Sequence, residues 1–295
     1  MDRTKICGCL IVFILLAACS RSEKTIVVGS KNFTEQVLLG EIVAQRLEHH
    51  MPGIKIERRL NLGGTLLAHQ ALIAKEIDLY PEYTGTAFTN VLKLADPAVD
   101  AAVVLERVRG EYAKGMRLEW LDPLGFNNTF AMAVRGADAR ARHLVTLSDA
   151  AADAEGFVLG AGYEFLQRPD GYGTLNRAYP INWTSAPKSM DLGLIYTALI
   201  QNKVSMVAGS ATDGMLSALD LQVLNDDKQA FPPYQACLVV RSDTLAAFPA
   251  LRGVLSQLSG KFSTESMRRL NFEIDGKHRQ VREAAKEFLE RSGLE

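Results

Sequence analysis

The chain has 295 residues, 47% of them apolar and 23% charged, with a formal net charge of −1. That length holds one large domain or two lobes of ordinary size, and the composition is that of a soluble globular protein. The charge balance excludes a global field that would draw in nucleic acid or an anionic membrane, and no run of five like charges offers a local one.

Arg3 and Lys5 precede a mostly apolar run from Ile6 to Leu16, which leads into Leu16-Ala17-Ala18-Cys19. A spanning helix needs roughly 20 apolar residues, so this shorter run predicts a cleaved secretory signal over residues 1–18. The Leu-Ala-Ala-Cys box resembles the processing site of bacterial lipoproteins. That resemblance implies a lipid on Cys19, a polar tether over residues 19–24 and an extracytoplasmic protein anchored to a membrane. A plain signal peptide with a chance cysteine is the alternative. Cys7 and Cys9 leave with the signal and Cys19 is consumed by lipid, so Cys237 has no disulfide partner. Its apolar run, Ala236 to Val240, predicts a buried structural thiol.

Thr25 to Gly29 reads as a strand. Asn32-Phe33-Thr34-Glu35 has the form of a capping box, and Leu38, Leu39, Ile42, Val43 and Leu47 follow at helical spacing. Pro52-Gly53 stops that helix, and Ile54 to Leu60 alternate as a second strand. Gly63-Gly64-Thr65 opens another helix, with Leu66, Leu67, Ala71 and Leu72 on its expected core face. Ile77 to Tyr80 reads as a short buried strand. Strand, helix, strand, helix is the grammar of a parallel sheet covered by helices.

A second block repeats it: a strand at Gly156 to Gly160, a helix at Met190 to Ile200 and a strand at Val204 to Ala208. The pattern predicts an α/β chain of two lobes with crossings near Asn128 to Val134 and Tyr234 to Val240. The first lobe then covers 25–130, the second 131–234, and residues 235–295 return to the first as a largely helical cover. Two independent domains in series is the alternative.

Catalytic constellations are missing from the sequence. There is no Gly-x-Ser-x-Gly, no His-Glu-x-x-His and no Cys-x-x-Cys after the signal. Ser259-Gly260-Lys261 is followed by Phe262 where a phosphate loop needs Ser or Thr. His49-His50 are adjacent on a helix and make a poor chelate. Neither enzyme, metal nor cofactor is expected. Polar and aromatic residues crowd instead at strand ends: Lys31, Asn32 and Gln36 after the first strand, Thr65 after Gly-Gly, and Tyr80, Glu82, Tyr83 and Thr86 after the third. Ligands bind beyond the carboxyl ends of strands in such sheets. Helix N-termini there suit an anion and tyrosine faces suit a soft cation, so the crevice suits a small zwitterion. Packing of loop aromatics is the plainer reading of Tyr80 and Tyr83.

Three segments, Gly29 to Gln36, Asp78 to Thr86 and Gly125 to Ala131, resemble signatures of the binding proteins of osmoprotectant ABC importers, which take glycine betaine, carnitine and choline. Gly162-Tyr163-Glu164-Phe165 and Met190 to Leu194 also match, so the resemblance spans nearly the whole mature chain. It implies a type II periplasmic-binding-protein fold, bilobed, with two crossing strands and closure over the ligand. It further implies a permease and an ATPase as partners, and a monomer. In that family an aromatic cage holds the quaternary ammonium. Tyr83 matches a cage tyrosine, Thr86 a carboxylate- or selectivity-setting position and Gln36 a carboxylate-side amide. Lys31, Asn32, Thr65, Thr212 and Asp213 are expected nearby. Phe130 and Ser210 stand where the family has tyrosine. Phenylalanine keeps the ring face and serine loses it, which predicts weak betaine binding or a different ligand, unless Tyr163, Phe231 or Tyr234 supplies the wall. A polar amino acid bound through Asp213 or Glu82 is the first alternative, and an exported hydrolase the second. A sensor or scaffold lipoprotein that has lost transport is the third.

Overall fold

The computed structural model describes residues 24–94 and 100–295. The expected signal, Cys19 and all of the tether before Lys24 lie outside them.

Among the described residues, ten strands form two five-stranded sheets. β1 (Thr25–Gly29), β2 (Lys55–Arg59), β3 (Leu79–Tyr83), β4 (Leu118–Trp120) and β10 (Ala236–Arg241) make the first, ordered β2-β1-β3-β10-β4. β5 (Phe130–Arg135), β6 (Leu159–Ala161), β7 (Lys188–Ser189), β8 (Met206–Ser210) and β9 (Leu221–Val223) make the second, ordered β7-β6-β8-β5-β9. β1 runs parallel to β2 and β3, while β10 is antiparallel to β3 and β4. In the second sheet β6 is parallel to β7 and β8, and β5 is antiparallel to β8 and β9. The chain therefore leaves the first sheet after β4 and re-enters it as β10. The two passages touch: Asn127 and Gln235 form an antiparallel bridge, and the Asn128 N–H donates to the Tyr234 carbonyl at 3.0 Å.

Helices cover both sheets. α1 (Thr34–His50), α2 (Thr65–Ile73), α3 (Thr84–Thr86, continuing as a π-helical turn over Ala87–Val91) and α4 (Ala101–Met116) belong to the first. α5 (Gly136–Arg142), α6 (Leu147–Ala152), α7 (Tyr163–Gln167), α8 (Tyr172–Ala178), α9 (Ile195–Ile200) and α10 (Met215–Ala218) belong to the second. α11 (Ser242–Ala247), α12 (Leu251–Ser256), α13 (Thr264–Asp275) and α14 (Val281–Arg291) close the chain, and α12 to α14 pack on α1. Buried Arg46 of α1 ties that cover down through the Val254 and Leu294 carbonyls and the Gln257 amide. Cys237 is free and buried, and desolvation pushes its thiol up to about 12.

Several expected elements shift. Phe33, not Asn32, stands at the start of α1, and its phenyl ring has no oxygen to cap the helix; the Glu35 carboxylate goes to Tyr83 and Asn128. On α2 the buried face is Thr65, Ala68, His69, Ala71 and Leu72, which turns Leu66 and Leu67 outward. The β3 ladder starts late because the Asp78 carboxylate accepts the Val27 N–H at 2.7 Å. The expected helix from Met190 opens as a 3-10 turn, Leu192–Leu194, where the Asp191 side chain accepts the Gly193 N–H.

Candidate functional site

The tips of β1 and β3 meet beneath the passages between the sheets. Lys31, after β1, and Glu82, within β3, are both buried, and their ammonium and carboxylate lie 2.5 Å apart. The ammonium also approaches Thr65 Oγ1 at 3.3 Å and sits 5.0 Å from the Tyr83 ring centroid. Tyr83 ends β3, and its hydroxyl donates to Glu35 Oε1 at 2.5 Å. Asn128 and Asn271 amides donate to the same carboxylate at 2.9 and 3.2 Å. Burial raises the Glu35 pKa despite these donors. Phe33 stacks against Tyr83 with centroids 6.3 Å apart.

A second constellation belongs to the other sheet. Phe130 opens β5 and meets Phe165, Phe231 and Tyr234 edge-on at 4.8, 5.2 and 5.6 Å between centroids. Arg168 ends α7 just before Pro169, a position that favours extended backbone, with φ −69° and ψ 145°. Its guanidinium lies 5.2 Å from the Phe130 centroid and 5.8 Å from that of Tyr234. Asp170 receives it in a fork at 2.9 and 2.6 Å and also accepts the Tyr234 and Thr89 hydroxyls, both at 2.7 Å. Burial alone would raise the Asp170 pKa, but the guanidinium and hydroxyl donors hold it below the ordinary carboxylate value.

These groups meet across the seam between the sheets. Arg168 Nη2 donates to Thr86 Oγ1 at 3.1 Å. Glu164 of α7 accepts the Thr65 N–H at 2.7 Å and its hydroxyl at 3.2 Å, at the N-terminus of α2. Two glycines permit this approach. A β-carbon on Gly64 would stand 2.2 Å from Glu164 Oε1, and one on Gly85 would stand 2.7 Å from the Tyr234 ring.

The anticipated residues divide accordingly. Lys31, Gln36, Thr65 and Tyr83 gather at the first-sheet wall; Gln36 Oε1 accepts the Lys31 N–H at 3.4 Å. Thr86 and Phe130 meet Arg168. Asn32 does not join them: its residue is exposed, and its backbone N–H donates to the Gly63 carbonyl. Ser210 pairs with Phe130 across β8 and β5, and its N–H donates to Asp213 Oδ2 at 2.9 Å. Asp213 also accepts the Tyr196 hydroxyl at 2.6 Å, which makes it the anchor of the turn after β8. Thr212 is buried, and its carbonyl accepts the Asn271 amide at 2.9 Å. Phe231 and Tyr234 pack on Phe130, whereas Tyr163 is 69% exposed. Arg168, Asp170, Glu35 and Asn271 were missed. The Arg-Pro-Asp run after α7, with a fork-forming pair two residues apart, was the available signal for the first two. Among the described residues no group of three or more His, Cys, Asp or Glu side chains is placed to hold a metal ion.

Comparison with known proteins agrees with this architecture. The family model described as the substrate-binding domain of ABC-type glycine betaine transport systems matches residues 24–291. The chain is 37% identical over 292 residues to an ergothioneine transport permease/ergothioneine binding protein of Helicobacter pylori, covering 96% of this chain and 52% of that one. It thus spans about half the length of that relative. It is 33% identical over 288 residues to a carnitine transport binding protein of Listeria monocytogenes, covering 95% and 92% of the two chains. A crystal structure of a glycine betaine/carnitine/choline ABC transporter protein superposes with a TM-score of 0.77 at 33% identity, over 91% of this chain and 99% of that one.

Proposed function

The chain belongs to the family of substrate-binding domains of ABC-type glycine betaine transport systems, and from that premise we propose that it captures a small quaternary-ammonium zwitterion between its lobes. Binding proteins of ABC importers are extracytoplasmic, and the family is one of transport rather than catalysis. The amino-acid and hydrolase alternatives are not favoured by it. Residues 25–130 and 235–295 form the first lobe in this reading and 131–234 the second.

The observation that carries the ligand class is the pair of ring faces that already bear cations: Lys31 on Tyr83 at 5.0 Å and Arg168 on Phe130 at 5.2 Å. Aromatic faces attract positive charge, and each resident cation is neutralised by a buried carboxylate, Glu82 or Asp170, so the pairs add no net charge to the site. Thr86, Thr65, Gln36 and the guanidinium edge of Arg168 supply donors for the ligand's carboxylate. The relatives' names add ergothioneine and carnitine to glycine betaine as ligands of this chemical type. All three combine a methylated nitrogen with a carboxylate.

Delivery is to a permease and its ATPase. The Helicobacter pylori relative carries permease and binding protein in one chain by its name, which supports that partnership. Lipid on Cys19 holds the protein, as a monomer, at the membrane.

Isothermal titration calorimetry with glycine betaine, carnitine, choline and ergothioneine tests the ligand class. Saturable binding of at least one betaine is expected. Silence from all four at millimolar concentration would overturn it.

A further inference from the structure

One stripe of α13 touches two distant parts of the chain. Arg268, Asn271, Phe272 and Asp275 fall at i, i+3, i+4 and i+7, which sets them on one helix face. On one side the stripe meets the turn after β8. There Arg268 Nε donates to the Ala211 carbonyl at 2.6 Å, and a β-carbon on Gly214 would stand 2.4 Å from the Phe272 backbone nitrogen. On the other side it meets the start of α1, where Asp275 accepts the Thr34 hydroxyl at 2.6 Å.

Buried Asn271 belongs to both contacts. Its amide nitrogen donates to the Thr212 carbonyl at 2.9 Å and to Glu35 Oε2 at 3.2 Å. One atom that bridges two acceptors needs two hydrogens, which an amide nitrogen has and a hydroxyl or carboxylate lacks. The amide oxygen is buried and has no partner among the described residues. An unpaired buried acceptor is costly. An apolar residue would fill the same space without that cost, so packing alone does not account for an asparagine here.

Each acceptor leads to an aromatic wall. The other oxygen of Glu35 accepts the Tyr83 hydroxyl at 2.5 Å. Thr212 lies in the turn that follows Ser210, which pairs with Phe130 across β8 and β5. We propose that Asn271 is a positioning residue of the ligand site: through Glu35 it holds the Tyr83 ring in place relative to the turn beside Phe130. This rests on the betaine reading above, in which those two rings receive the methylated nitrogen. A ring attracts a cation only over its face and within about 6 Å of its centroid. A Glu35 carboxylate released by Asn271 therefore frees the Tyr83 hydroxyl and forfeits part of that contact.

A double-mutant cycle tests this, with glycine betaine as the probe and calorimetry as the measurement. Asn271→Leu keeps the volume and removes both donors. Tyr83→Phe keeps the ring and cuts its link to Glu35. Asn271→Leu is expected to weaken affinity about fivefold or more in the parent and less than about twofold beside Tyr83→Phe. Equal losses in the two backgrounds would overturn the proposal, because an asparagine that merely stabilises the fold costs the same with or without the hydroxyl. Undiminished affinity in the single variant would overturn it as well. Urea unfolding verifies that each variant is folded, and Asn271→Ala carries the same cycle should the leucine variant not fold. A parent that binds no glycine betaine removes the betaine reading and the inference together, whereas a parent that binds, with additive losses, removes the inference alone.

Discussion

The guanidinium of Arg168 lies 5.2 Å from the centroid of the Phe130 ring, with its fork bonded to Asp170. The first sheet carries a like arrangement, with Lys31 5.0 Å from the Tyr83 centroid and paired with Glu82. Each of these two cations is thus neutralised by its own buried carboxylate, Asp170 or Glu82. A zwitterion adds one more charge of each sign and leaves that balance intact, whereas a simple anion or cation does not.

Tyr83 combines a ring that faces cations and a hydroxyl that satisfies buried Glu35. A ring contact contributes about 0.5–2 kcal/mol, up to roughly thirtyfold in affinity. Tyr83→Ala is expected to weaken betaine binding about tenfold or more, and Tyr83→Phe only a few-fold. Calorimetry on the two variants separates ring from hydroxyl; equal losses would place the contribution in the hydroxyl.

The Arg168–Asp170 pair is nearly dry, with side chains 9% and 2% exposed. Breaking a buried pair by removing one partner costs about 3–5 kcal/mol. Arg168→Met should lower unfolding stability by that order in urea. Adding Asp170→Asn should recover part of the loss, because the stranded carboxylate is gone. A double variant no better than the single would show that the charge pair is not what Arg168 contributes.

Gly64 has an ordinary φ of −74°, so alanine strains nothing in the backbone there. Its only conflict is Glu164, 2.2 Å from the added carbon. Gly64→Ala is expected to weaken ligand binding several-fold in the parent and to have little further effect beside Glu164→Ala. Equal effects in both backgrounds would mean that the contact does not couple the lobes.

Asp213 is pushed up to about 6 from 3.8, chiefly by burial of its carboxyl group. The folded chain thus holds this proton to higher pH than the unfolded chain does. Over the window from about 4 to 6, its contribution to stability falls as pH rises and is lost above 6. The shift corresponds to about 3 kcal/mol. Asp213→Asn should be the more stable protein at pH 7.5, by up to that amount, with the advantage gone by pH 4. Thermal unfolding at both pH values checks this, and an unchanged difference would refute it.

The alternating strand and helix pattern made the two-sheet α/β architecture legible, because β1, β3 and β8 carry short apolar runs ending in small or polar residues. The phase of α2 was not legible. Leucine and alanine both pass as core residues, and only the sheet decides which side is buried. The motifs singled out Tyr83, Thr86 and Phe130, and the structure sets Thr86 and Phe130 against Arg168 and Tyr83 against Lys31. Arg168 was not legible, since an arginine in a loop has no periodicity and its meaning depends on Phe130, Thr86 and Asp170, all distant from α7 or turned back from it. Asn271 reaches Glu35 from 236 residues away, which no local pattern shows. Asp213 accepts the Ser210 N–H and the Tyr196 hydroxyl, a turn-holding role that its place in the sequence did not reveal.

A crystal structure of the chain with glycine betaine bound bears most directly on the central claim. The account predicts the quaternary nitrogen between the lobes, within about 6 Å of the Tyr83 or Phe130 ring centroid, with the carboxylate turned toward Thr65, Thr86 or Arg168. A ligand seated outside the seam, or one whose carboxylate rather than nitrogen meets both rings, would contradict it.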